Sequence, residues 1–398
     1  MRTTFAVVTS AVLLLAGCSS FNDASGEQAS SSSSSSDAPA APAAEVTLSV
    51  EDGATDVSPV TPVEISVTGG ELADVAVVGA DGSAVSGKVK DGADGDAALW
   101  SAKKPLDYGT RYELTATATN ADDKETEATA SFTTLSPTTV TTPSIGPLGG
   151  TTVGVGMPIR VFFDQPVTEK AAVERHLKVT STKRTDGVWN WVSDTEVHFR
   201  PSDYWPENID VTLDADLYGV ELADGVWGEK DRSVTFSVGE KHVSVVDAKK
   251  HTMKVYDGGK WLKTFPMSAG SSENPTRNGA HVVLESFADI TMDSSTFGLA
   301  ADAPGGYRTD VKYAVRISNN GEFVHAAPWS LASQGRENVS HGCINLSTGR
   351  AKWFFDYAQP GDVVEVRHSI GPKLSAKDGD IYDWAIPWDE WKAGSALK

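Results

Sequence analysis

With 398 residues the chain has room for two to four domains, each able to bury its own core. Its 40% hydrophobic content, with 36 Gly and 19 Pro spread through many short segments, excludes a fibrous protein and points to an all-β fold rich in turns. Thirty-four basic residues against 54 acidic ones give a formal charge of -20, which repels polyanions and excludes nucleic acid as a partner.

The first segment reads as an export signal over residues 1–17. Met1-Arg2 is a short positive region, Phe5 to Leu15 an apolar run too short to span a bilayer, and Leu15-Ala16-Gly17-Cys18 a small-residue cleavage site. The last four residues, followed by Ser19-Ser20, resemble a bacterial lipobox. That resemblance implies lipidation of Cys18 and a membrane anchor through it; the other reading is a secretory signal with an incidental cysteine. Residues 18–44, rich in Ser, Ala and Pro, cannot bury enough apolar surface to offset chain entropy and read as a disordered tether. With Cys18 assigned to lipid, Cys343 is the one remaining thiol and no internal disulfide is available. An unpaired cysteine in an oxidising compartment calls for a reactive role.

Residues 45–135 alternate apolar and polar positions in short runs such as Pro62 to Val67 and Tyr112 to Ala118, separated by Gly/Asp turns including the one at 92–96. This pattern predicts an immunoglobulin-like β-sandwich. A second unit, 136–239, repeats its landmarks. Pro158-Ile159-Arg160-Val161 matches Pro62-Val63-Glu64-Ile65, Asp203-Tyr204 matches Asp107-Tyr108, and Val234-Thr235-Phe236 matches Ala130-Ser131-Phe132. A tandem repeat is the simplest account. Trp189, Trp191 and Trp205 are assigned to core or interdomain packing.

A third domain spans 240–367. Two strands around Asp257-Gly258-Gly259 predict a hairpin, and a second hairpin around Asn319-Asn320-Gly321 puts His325 at a strand end. Between them, Phe287 to Thr309 reads as a long irregular loop and hence as a lid. A helix is expected over Thr348 to Ala358, then a final strand Val-Val-Glu-Val. The tail, 368–398, carries Trp384, Trp388 and Trp391 at the spacing of one helical face, expected to dock on the domain beside it.

The chemistry concentrates between His325 and Asn345. Cys343 is a candidate nucleophile, with His341 two residues before it and His325 eighteen before it. His325 is the favoured base, and an imidazolium beside the thiol is expected to lower its pKa and speed its alkylation. Gly342 permits tight backbone geometry, so the N–H groups of Gly342 and Cys343 are expected to face a developing oxyanion. His341 divides between catalysis and shaping the loop. Zinc on His325, His341 and Cys343 is disfavoured by the odd spacing and the lack of a fourth ligand nearby.

His325, fourteen intervening residues, then Ser340-His341-Gly342-Cys343-Ile344-Asn345 resembles the L,D-transpeptidases of bacterial cell walls, with the actinobacterial lipoprotein members as the nearest pattern. The resemblance implies two tandem immunoglobulin-like sandwiches followed by an L,D-transpeptidase-type β-sandwich with a short helix and a C-terminal subdomain. It implies that Cys343 takes the acyl group of a peptidoglycan tetrapeptide stem as a thioester and passes it to the diaminopimelate amine of a second stem, a 3→3 cross-link. It implies His325 as base, oriented by the carbonyl of Ala326, with Tyr307 assisting the oxyanion hole. Met292, Trp329, Ser340, His341 and Asn345 fall at pocket positions. Carbapenem-type β-lactams are implied as inhibitors, and neither metal nor organic cofactor. An L,D-carboxypeptidase, with water as acceptor, and a wall-binding lipoprotein with an inactive terminal domain are the other readings.

Overall fold

The computed structural model describes residues 40–91, 97–297, 300–303, 306–379 and 381–397. The leader, Cys18, most of the tether and the turn at 92–96 lie outside the described residues. Among the described residues no helix is long and apolar enough to cross a membrane.

Two four-stranded sheets make the first sandwich. One orders Glu45–Leu48, Val63–Thr68, Ala97–Ala102 and Gly87–Asp91; the other orders Ala54–Val57, Glu125–Thr134, Arg111–Thr119 and Glu71–Gly79. Period-two patterning builds the core, as in Arg111–Thr119, where Tyr112, Leu114, Ala116 and Ala118 turn inward. The second sandwich repeats this order position for position. Ser144–Gly146, Ile159–Phe162, Glu196–Pro201 and Gly187–Trp191 form one sheet, and Thr152–Val153, Arg232–Val238, Ile209–Ala215 and Leu177–Ser181 the other. Even the parallel pair recurs, Ala54–Val57 on Glu125–Thr134 and Thr152–Val153 on Arg232–Val238. The matched landmarks therefore sit on equivalent strands and loops. Tyr108 and Tyr218 join the modules, their rings 4.5 Å apart and their hydroxyls donating to the carbonyls of Gly228 and Leu106, each at 2.7 Å.

The third unit packs a five-stranded sheet (Lys260–Pro266, Thr252–Asp257, His242–Asp247, Val363–Arg367, Gly279–Val282) against a four-stranded one (Glu285–Asp293, Arg308–Arg316, Phe323–Ala326, Ile344–Leu346). Val246, Met253 and Val255 from the first meet Val315, Val324 and Ile344 from the second in a closed core, joined by Phe354 of the helix Thr348–Tyr357. The turn at 359–362 backs onto the second sandwich, with Gly154 N–H donating to Pro360 O and Gly156 N–H to Gly361 O, both at 2.8 Å. A Cβ on Gly154 would lie 2.2 Å from the Asp362 nitrogen, so this approach requires glycine.

The irregular loop expected over Phe287 to Thr309 is mostly sheet. Glu285–Asp293 pairs in antiparallel register with Arg308–Arg316, from Glu285 opposite Arg316 to Asp293 opposite Arg308. Ala288 and Tyr313 drop out of the paired register, and a 3-10 turn at Ser294–Phe297 follows the first strand. The inward residues are Phe287, Ile290 and Met292, so alternation slips by one between the first two. Opposite the slip, Tyr313 holds a left-handed φ of 53°. That break hides the strand from a period-two reading.

The tail docks mainly on the second sandwich. Trp384, in the 3-10 turn Asp383–Ala385, and Trp388 and Trp391, in the helix Trp388–Ala393, surround the Arg200 guanidinium at 4.8, 5.1 and 4.5 Å. The three indoles converge on one cation from two short elements rather than one helix. Trp391 donates to Val188 O at 2.9 Å and Trp384 to Gly156 O at 2.7 Å. His198 is buried between Asp383 and Glu196; burial disfavours its charged form, but the two carboxylates outweigh this and raise it to about 9.

Candidate active site

Sheet register gathers the chemistry. The strands Phe323–Ala326 and Ile344–Leu346 run parallel, with Val324 opposite Ile344, His325 opposite Asn345 and Ala326 opposite Leu346. Side chains alternate faces, so Val324, Ala326, Ile344 and Leu346 enter the core. His325 and Asn345 then share the opposite face, and Cys343, two residues before Asn345, lies on that side too. The face is the floor of a cleft of about 430 Å³, walled by Met292, Tyr307, Val311, Trp329, Ser340 and His341.

Both reactive groups are buried, Cys343 at 6% exposure and His325 at 4%. The His325 ring bonds through Nδ1 to the Ala326 carbonyl at 2.9 Å. A carbonyl only accepts, so the proton sits on Nδ1 and Nε2 keeps its lone pair. Burial pushes His325 down to about 4 and the Cys343 thiol up to about 12. The resting pair is therefore neutral, and the expected thiol activated by a neighbouring imidazolium is corrected. The thiol points to the Gly321 carbonyl at 3.5 Å.

Gly342 has φ 121°, a conformation that favours glycine, and its carbonyl accepts from Thr276 Oγ1 at 2.7 Å. Its N–H donates to Ser340 Oγ at 3.1 Å, while that hydroxyl donates to the Cys343 carbonyl at 2.6 Å. One expectation changes accordingly: the Gly342 N–H is turned into the loop rather than to a substrate oxygen, while Ser340 both holds the loop through its hydroxyl and lines the cleft.

The remaining pocket positions divide by environment. Met292 is buried in one apolar cluster with Cys343, Val311 and Phe323. Tyr307 is half-buried, which together with the nearby Cys343 and Asp293 pushes its hydroxyl up to about 12. Its ring lies 5.0 Å from the exposed ring of His341, and this pair separates the main cleft from a second of about 320 Å³ bordered by Glu273, Arg277 and Glu322. Trp329 stands 60% exposed at the rim, 6.1 Å from His325. Asn345 donates through Nδ2 to Ser330 Oγ at 3.2 Å, leaving its buried Oδ1 without a partner among the described residues.

Several residues of this site carry no local sequence signal. Thr276 ties Gly342 from 66 positions away. The Glu322 carboxyl, raised by burial against the pull of His281 and Arg277, accepts from the Arg277 N–H at 2.9 Å behind the nucleophile loop. Ser330 and Gln334 both bond the Ala327 carbonyl, at 3.0 and 3.2 Å, and brace Asn345.

A buried thiol, a neutral imidazole with a free lone pair and a cleft above them define a cysteine acyltransferase. The L,D-transpeptidase catalytic domain model matches residues 241–366, and one bacterial Ig domain model matches 54–221 across both sandwiches. The chain is 38% identical over 352 residues to L,D-transpeptidase 2 of Mycobacterium tuberculosis (strain CDC 1551 / Oshkosh), covering 88% of this chain and 85% of that one. It is 38% identical over 363 residues to L,D-transpeptidase 5 of M. tuberculosis (strain ATCC 25618 / H37Rv), covering 89% and 78%. A solved L,D-transpeptidase, LdtMt1 in complex with imipenem, superposes with a TM-score of 0.51 at 36% identity over 58% of this chain and 100% of that one. The chain belongs to the L,D-transpeptidase family.

Proposed function

We propose that the chain forms 3→3 cross-links between peptidoglycan stems through a thioester on Cys343. The carrying observation is the His325–Asn345 register, which supports a base and a nucleophile acting together on one cleft floor. Cys343 Sγ leaves the Gly321 carbonyl, passes its proton to His325 Nε2 and attacks the carbonyl at the L-centre of diaminopimelate in a tetrapeptide stem. The C–S bond forms, the C–N bond to D-Ala breaks, and the imidazolium returns its proton to the departing amine. Ala326 O steadies the imidazolium through Nδ1–H. The Cys343 N–H, assisted by the Tyr307 hydroxyl, receives the oxyanion. The diaminopimelate side-chain amine of a second stem then attacks the thioester, its surplus proton passing through His325 to the released thiolate. Asn345 Oδ1 is an acceptor for a substrate N–H, Met292 and Trp329 line the stem, and His341 with Tyr307 closes the wall.

Carbapenems acylate the same thiol in this reading, supported by the imipenem complex of the similar protein. The lipobox-like Leu15-Ala16-Gly17-Cys18 supports export and anchoring to the outer face of the cell membrane through Cys18, with the sandwiches as spacers reaching into the wall. Incorporation of labelled palmitate that persists in Cys18→Ala overturns the anchor.

The test of activity is incubation of the full chain with a tetrapeptide muropeptide, followed by mass spectrometry. A cross-linked dimer, absent with Cys343→Ala, is expected. Tripeptide alone makes the chain an L,D-carboxypeptidase, and neither product nor a carbapenem adduct overturns the enzymatic reading.

A further inference from the structure

The start of the catalytic domain carries a second cluster of chemical groups, on the five-stranded sheet rather than on the four-stranded sheet that holds the nucleophile. His242 opens the strand His242–Asp247 and lies directly opposite Asp257 in the antiparallel register with Thr252–Asp257. Glu240 lies two residues before it in the bend that leads into the strand, its carbonyl accepting the His242 N–H at 3.1 Å, and its carboxylate stands beside the other two side chains. One donor atom from each lies within 4.8 Å of the others. We propose that Glu240, His242 and Asp257 bind a divalent transition-metal ion of the zinc type, which clamps the catalytic domain where it meets the second sandwich.

The imidazole is prepared for this in a way that an incidental surface cluster is not. Its Nδ1 bonds Asp362 Oδ2 at 3.1 Å, and its ring stacks on Tyr357 at 4.1 Å between centroids. These two contacts fix the ring plane and aim Nε2 away from Asp362. The ring is 11% exposed and, among the described residues, its buried Nε2 has no hydrogen-bond partner, the Glu240 carboxylate standing 3.5 Å away. A carboxylate on one nitrogen with the other left for a metal is the outer-shell arrangement that orients ligating histidines and raises their basicity. Three donors no further than 4.8 Å apart have a common centre within about 2.8 Å of each, so zinc bonds of about 2.0–2.2 Å need less than ~1 Å of side-chain movement. One imidazole with two carboxylates suits a borderline ion, water filling the remaining positions.

The location gives the ion something to hold. Asp362 belongs to the 359–362 turn that receives the Gly154 and Gly156 N–H groups of the second sandwich. Lys241, between two of the ligands, donates its N–H to Glu207 Oε2 of that sandwich at 3.1 Å. A bound ion therefore joins the first hairpin of the catalytic domain, through His242 and Asp362, to both sides of the junction.

The test uses the full chain carrying Cys343→Ala, which removes the thiol of the catalytic cleft as a competing ligand. Zn2+ is titrated by calorimetry at neutral pH and the protein melted with and without it. One equivalent bound and a raised melting temperature are expected. Both should be lost in His242→Gln, and affinity should fall at least tenfold in Glu240→Gln, an exposed position whose change does not threaten folding. Binding unaffected by Glu240→Gln places the zinc elsewhere and overturns the proposal. No stoichiometric binding makes the cluster an ion pair only, which also overturns it, and neither result touches cross-linking by Cys343.

Discussion

Alkylation of Cys343 tests the neutral resting state directly. The thiol is pushed up to about 12, against about 8.5 for a free cysteine, so at pH 7 its thiolate population is roughly three-thousandfold smaller. A more basic thiolate is intrinsically more nucleophilic, with a Brønsted slope of about 0.4–0.5, which returns roughly fortyfold. The net expectation is iodoacetamide labelling about a hundredfold slower than a free thiol, slower still with Cys343 only 6% exposed. Rates are read from intact mass between pH 6 and 10, with a cysteine peptide as reference. They should rise tenfold per pH unit without a plateau. Carbapenem acylation of the same protein should change little above pH 5, because His325, at about 4, is already in its base form. A labelling plateau between pH 6 and 8, or a rate above the free peptide's, means a stored thiolate–imidazolium pair and refutes the reasoning.

Three further perturbations follow from the same contacts. His325 has a folded pKa of about 4 against about 6.5 unfolded, so its cost to folding is absent above pH 6.5, grows as pH falls and reaches about 3 kcal/mol near pH 4. Denaturant unfolding of His325→Gln at pH 7 and 4.5 should show roughly 2 kcal/mol less acid destabilisation; an unchanged pH slope counts against a buried neutral ring. Ser340→Ala strips the Gly342 N–H of its acceptor, at about 1–3 kcal/mol for a buried polar group, and should slow carbapenem acylation at least tenfold and lower the melting temperature by several degrees. Equal acylation rates would show that the hydroxyl does not hold the loop. Trp391→Ala removes a fully buried indole and its bond to Val188 O, about 3–5 kcal/mol, measured as a lowered denaturation midpoint; a shift under 1 kcal/mol would mean the tail is not structurally docked.

Local pattern made much of the architecture legible. Alternation exposes strands such as Arg111–Thr119, and the paired landmarks of the sandwiches are readable because equivalent strands bury equivalent residues. The His325, Cys343 and Asn345 pattern is legible for a related reason: parallel pairing and a two-residue period leave them on one face. The strand Glu285–Asp293 escapes notice because its alternation slips beside the left-handed Tyr313. Thr276 and Glu322 escape for a different reason, since their roles depend on approaches across tens of residues. The protonation of Cys343 and His325 belongs with these. Adjacent histidines in sequence suggest an activated thiolate, but pKa follows burial, and burial comes from Met292, Val311 and Phe323 on distant strands.

That burial bears on how one cysteine can serve an enzyme proposed to work outside the cytoplasm. Oxidation, like alkylation, proceeds through the thiolate and requires access. Cys343 offers neither at rest, being protonated and packed among Met292, Val311 and Phe323 beside the Tyr307–His341 pair. Ionisation must then be coupled to attack, with His325 taking the proton only as a carbonyl reaches the sulfur. A carbonyl held in the cleft supplies that electrophile, whereas a diffusing oxidant meets a thiol with its proton in place. The neutral pair lowers reactivity toward small reagents while keeping the base in the form needed for transfer, and the pH profiles of labelling and acylation separate these two properties in one protein.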